Sequence, residues 1–161
     1  MVCDMKSMLL IGSFAATAIY LILAAVEDSK SFQVTRWKHL IGMIPALLLT
    51  LVYIGERSVL DMGMILLFVL LWVFLGRRKV YGMADGFVFV NLTVLFGSIG
   101  GVAGIGLVIL ILILACFSGM AEMLLRKMVT VAAFKRKKYI AFVPHILTGY
   151  VAVVIALFIW L

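Results

Sequence analysis

The chain has 161 residues, 66% of them hydrophobic, with a mean hydropathy of +1.30. A water-soluble domain is about half apolar; 17.8 kDa of protein cannot hide this excess in a core, so lipid is the expected solvent. The net charge of +7 does not mark a nucleic-acid partner, because the basic residues lie between apolar runs, where topology and anionic head groups account for them.

In chain order, Ser7–Val26 is a charge-free run close to the roughly 20 residues that cross a hydrocarbon core. It lacks a small-x-small cleavage site before Glu27, so it reads as a span rather than a cleaved signal. Residues 27–38 are polar. His39–Ile54 is a short second span containing Pro45, residues 55–58 form a turn, and Val59–Leu75 is a third span with Asp61 near its start. Residues 76–85 hold Arg77, Arg78 and Lys79 and then Gly82-Met83-Ala84-Asp85. Residues 86–120 are too long for one helix, and glycines at 97, 100, 101, 104 and 106 predict a turn between spans at about 85–97 and 100–121. A basic segment, 122–138, leads to a last span, Tyr139–Leu161, with Pro144 in its first turns. The expected fold is all-α: a single membrane-embedded domain, residues 1–161, of about six transmembrane helices with no soluble domain.

The loops at 27–38, 76–85 and 122–138 carry all but two, Lys6 and Arg57, of the 14 lysines and arginines. The positive-inside rule makes that face cytoplasmic and places both termini outside. Asp28 and Asp85 then share the cytoplasmic boundary, and Asp61 and Asp4 fall on the other side. Acids at the edge of a bilayer are costly and usually functional. Two that meet cannot both ionise easily, and such a pair activates water in aspartic proteases, one carboxylate as base and the other as proton donor to the scissile carbonyl. The structural alternative is that Asp85 caps a helix and Asp28 is a solvated loop acid.

Gly82-Met83-Ala84-Asp85, opening an apolar helix after a basic loop, resembles the Gly-x-Gly-Asp motif of type IV prepilin peptidases and archaeal preflagellin peptidases. Asp28, followed six residues later by Val34-Thr35-Arg36, is similar to that family's first motif, an aspartate followed by a hydrophobic residue and Pro-Asn. Residues 141–150, Ala-Phe-Val-Pro-His-Ile-Leu-Thr-Gly-Tyr, resemble its Pro-Phe-x-Pro-x-x-x-x-Gly stretch. The likeness covers essentially the whole chain, in order. Ala84 replaces the second glycine, Thr35-Arg36 stands for Pro-Asn, and Phe87 takes the place where bacterial members often have lysine. The four-cysteine zinc loop and methyltransferase region of the large bacterial enzymes have no counterpart, so the resemblance is to the short, peptidase-only branch found with Tad/Flp-type pili and in archaea.

The resemblance implies a membrane aspartic endopeptidase of the cell membrane. It would remove the short basic leader of a type IV pilin-like precursor, with Asp28 and Asp85 catalytic and Gly82, Ala84 and Gly86 shaping the turn. Neither cofactor nor metal is expected, and Cys3 and Cys116 lack metal-ligand spacing. Substrate protein and membrane lipid are the expected partners. Glu27 could tune Asp28 or be a solvated interfacial acid; His145 could line the cleft or be a satisfied interfacial histidine; His39 reads as interfacial, beside Trp37 and Lys38; Asn91 reads as a helix-to-helix hydrogen bond. A small six-helix ion- or proton-coupled transporter subunit and a catalytically inactive pilus-assembly homologue are the alternatives.

Overall fold

A computed structural model of the chain describes residues 5–129 and 141–160, without the side chains of 128 and 129. Cys3, Asp4 and the 135–138 basic cluster lie outside the described residues. Among the described residues there are five helices, α1 (Met5–Ser31), α2 (Arg36–Tyr53), α3 (Val59–Arg77), α4 (Met83–Val129) and α5 (Val143–Trp160), with one 3-10 turn at Ile54–Glu56. All five are long and apolar enough to cross a membrane, and no strand occurs among the described residues. The all-α, membrane-spanning class expected from composition is the class observed.

The turn expected among the glycines falls at Gly101, whose φ of 56° and ψ of −133° break α4 into arms of residues 83–100 and 102–129. Gly104 lies directly against the Phe96 carbonyl. In one straight helix residues eight apart are about 12 Å from each other, so the chain doubles back here, giving six helical rods. The break is anchored from α3. Ser58 and Asp61 form a capping box at the start of α3, and the other Asp61 oxygen accepts the Val102 N–H at 3.0 Å. Arg57 Nη2 donates to the Ile99 carbonyl at 2.5 Å. Asp61 therefore satisfies orphan donors of two helices, at the opposite end of α3 from Arg77.

Several boundaries differ from expectation: the second arm of α4 runs on to Val129 rather than ending near 121, α5 starts at Val143 rather than Tyr139, and two further shifts bear on the site. α1 continues five residues past Val26, to Ser31, so Glu27 and Asp28 sit in its last turns rather than in a loop. Apolar content marks where the hydrocarbon ends, not where the helix does: 27 residues make a rod of ~40 Å against a core of ~30 Å. α1 stops at Phe32, whose φ is 54° and whose N–H still bonds the Asp28 carbonyl. α2 starts at Arg36, three residues early, because Glu27 organises the turn before it. The Glu27 carboxylate accepts from the Thr35 N–H at 3.1 Å and hydroxyl at 2.5 Å and pairs with Lys38 Nζ at 2.8 Å.

The first arm of α4 is central. Residues 88–93 are buried without interruption, because α4 packs against α2, α3 and α5 while α1 closes on α2 and α5. Trp72 of α3 stacks on Phe89 at 4.8 Å and donates its indole N–H to Thr93 at 2.8 Å. Gly97 lies against Ile65, and Gly149 against the Ile111 carbonyl, so these small residues let the chain's own helices approach closely. Leu66, Leu67 and Leu70 on the outside of α3 are more than half exposed, as expected where lipid tails replace water.

Candidate active site

Asp28 reaches the site because α1 overruns its apolar stretch, and Asp85 because it is the third residue of the central helix. Although 57 positions apart in sequence, both line one cavity of about 490 Å³, with Phe32, Gln33, Arg36, His39, Phe87 and Phe142 among its walls. They are 6% and 7% exposed. Thus the structure brings together the two acids that the loop-charge pattern assigns to one face and leaves Asp61 at the far end of α3.

Each carboxylate is held by backbone. Asp28 Oδ2 accepts the Val143 N–H at 3.1 Å, so Asp28 sits on the N-terminus of α5, where a helix favours negative charge. Asp85 Oδ2 accepts the Gly82 N–H at 3.1 Å, the return half of a capping box. The capping role available to Asp85 from sequence is therefore real, but from the third helical position, and it occupies one oxygen only.

The turn before Asp85 is not a strained one. Among described non-glycine residues only Phe32 and Lys79 have positive φ, and Gly82 and Gly86 do not. Ala84 lies within α4, so this turn does not use the conformational freedom of a second glycine. The glycines supply space instead. A Cβ at 82 would come within 2.9 Å of Asp85 Oδ2, and one at 86 within 3.0 Å of the Tyr81 ring. Tyr81 donates to the Trp72 carbonyl at 2.6 Å and so pins this turn to α3. Burial, with the Asp85 charge adding to it, pushes its phenol up to about 12, so the donor stays protonated at physiological pH.

The other sequence candidates lie elsewhere or do something else. Glu27 is outside the cavity wall and serves the α1–α2 turn described above. His145 is also outside it: it lies between α5 and the second arm of α4, with Nδ1 2.9 Å from Ser118 Oγ and Nε2 2.8 Å from a Glu122 oxygen. Asn91 makes the helix-to-helix bond, Nδ2 to the His39 carbonyl at 3.3 Å. His39 is buried, 6% exposed, and part of the cavity. The signal was present in α2, where His39, Gly42, Ala46 and Leu49 are the buried stripe at helical spacing. Among the described residues no group of three or more His, Cys, Asp or Glu could hold a metal ion.

Two buried carboxylates therefore line one open cavity, the pair of groups from which a proton-sharing dyad is built. No protein family, curated protein or solved structure matches the chain.

Proposed function

We propose that the chain is an aspartic endopeptidase working at the membrane boundary, and that it removes the short basic leader of a type IV pilin-like precursor at the cytoplasmic face. The observation that carries this reading is the convergence of Asp28 and Asp85 on one cavity at a common end of the helix bundle. The motif resemblance supports the substrate class, and the basic loops at that end support the cytoplasmic side. A transporter would favour acids near the bilayer midplane; these lie in the last turns of α1 and the first turn of α4.

In this mechanism the negative charge sits on Asp28, which accepts the Val143 N–H at the α5 N-terminus, and the shared proton sits on Asp85. Asp28 takes a proton from water as the water oxygen attacks the scissile carbonyl carbon. Asp85 donates its proton to the carbonyl oxygen. The tetrahedral intermediate collapses as the C–N bond breaks, the leaving amine takes the proton from Asp28, and Asp85 regains its own.

The test is co-expression with a pilin-like precursor, comparing wild type, Asp28→Asn and Asp85→Asn by gel shift. Each substitution is expected to slow cleavage by about 10²-fold or more. Wild-type rates in either variant would rule out the dyad.

A further inference from the structure

His39 has a use that the dyad leaves unfilled. Its Nδ1 lies 2.7 Å from the Tyr20 hydroxyl, and the Asn91 amide donates to the His39 backbone carbonyl at 3.3 Å. A phenol O–H beside a neutral imidazole nitrogen is the natural donor of that pair. With Nδ1 accepting, the ring proton is on Nε2. That Nε2 is buried without a hydrogen-bond partner. Gly42 makes the arrangement possible, since any Cβ there would run into the Tyr20 ring.

His39 also sits where two spaces join. A second cavity, about 370 Å³ and mostly apolar, runs between α2 and the first arm of α4; it shares Arg36, His39, Met83 and Phe87 with the aspartate cavity and continues along Leu40 to Asn91. Leu40 is more than half exposed, so this slot opens sideways toward lipid. The Phe87 ring lies 5.3 Å from that of His39 and covers the imidazole where the spaces meet.

We propose that this slot receives the apolar helix of the substrate from the bilayer, and that His39 Nε2–H binds a backbone carbonyl of that helix next to the scissile bond. The assignment rests on the peptidase reading for its substrate. A carbonyl at the unwound start of an incoming helix brings the acceptor that His39 lacks, and Phe87 turns aside to admit it. His39 is thus a substrate-binding residue, held in tautomer and orientation by Tyr20.

The test uses the full chain in liposomes with a precursor made of a short basic leader and an apolar helix. His39→Ala is expected to raise KM about tenfold, the worth of one buried hydrogen bond, with kcat nearly unchanged, and His39→Gln, which keeps an N–H donor, to restore most of it. Independently of His39, a photo-reactive residue replacing Leu40 in the Asp85→Asn variant should capture the precursor, and one replacing Leu66 on the far side of α3 should not. Cleavage with unchanged KM in His39→Ala, or equal capture at both positions, overturns the assignment and leaves the peptidase reading intact. Capture at position 40 without wild-type cleavage of any precursor keeps the slot and removes the peptidase. Absence of both removes both.

Discussion

At the scale of single residues, the site depends on where atoms are missing as much as on where they are present. Gly82→Ala would place a Cβ 2.9 Å from Asp85 Oδ2. The carboxylate must shift, and a misplacement of about 1 Å in a reacting group can cost about 10²-fold. A fall of that order in cleavage, with melting temperature nearly unchanged, is the expected result. Ala84→Gly, which would complete the Gly-x-Gly-Asp pattern that residues 82–85 resemble, is expected to do the reverse. It gains no activity, because position 84 is helical, and it loses about 0.5–1 kcal/mol because glycine is a poorer helix former. Thermal melting alongside the gel-shift assay separates the two outcomes.

At the scale of helices, the aspartates divide by role. Asp61 ties the start of α3 to the break in α4, remote from the cavity. Asp61→Ala should cost about 1–3 kcal/mol, the worth of one to two caps, while leaving cleavage by the folded fraction unchanged. Gly101→Ala should cost more, about 2–4 kcal/mol: the backbone there is in a glycine-only conformation, and the new Cβ would collide with the Asp61 carboxylate. Equal loss of stability and of specific activity in Asp61→Ala would contradict this division. The sequence already contained much of it. Glycine clustering located the break, and the loop charges separated Asp61 from the other two acids. It did not contain the overrun of α1 or the grip of Asp28 on α5. The first depends on polar residues remaining helical beyond the hydrocarbon, and the second joins positions 115 residues apart, a contact that local pattern does not encode. His39 was hidden for a different reason: its aromatic and basic neighbours, Trp37 and Lys38, imitate an interface anchor, and only the stripe it begins on α2 shows that it faces inward.

At the scale of the whole molecule, the two ends of the bundle are chemically distinct. One holds the cavity, Arg77, Arg78 and Lys79; the other holds the Lys6–Glu56 ion pair, 2.5 Å long, and the Arg57–Ser58–Asp61 knot. The proposed orientation predicts that a cysteine introduced as Lys79→Cys is protected from impermeant thiol reagents in intact cells. One introduced as Glu56→Cys is labelled; the native Cys3 and Cys116 are first replaced by serine. The opposite labelling pattern would put the cavity on the outer face and remove the cytoplasmic cleavage model.

The Asp61–Val102 bond also orders events during synthesis. Chains are made from the N-terminus at about 5–20 residues per second, and the partner of Asp61 follows 41 positions later. Asp61 is therefore made about 2–8 s before the N–H that it binds. The arrival of Val102 then ends that interval by supplying the donor for the second Asp61 oxygen. A residue with no place in the chemistry thereby clasps together two helices that are made at different times.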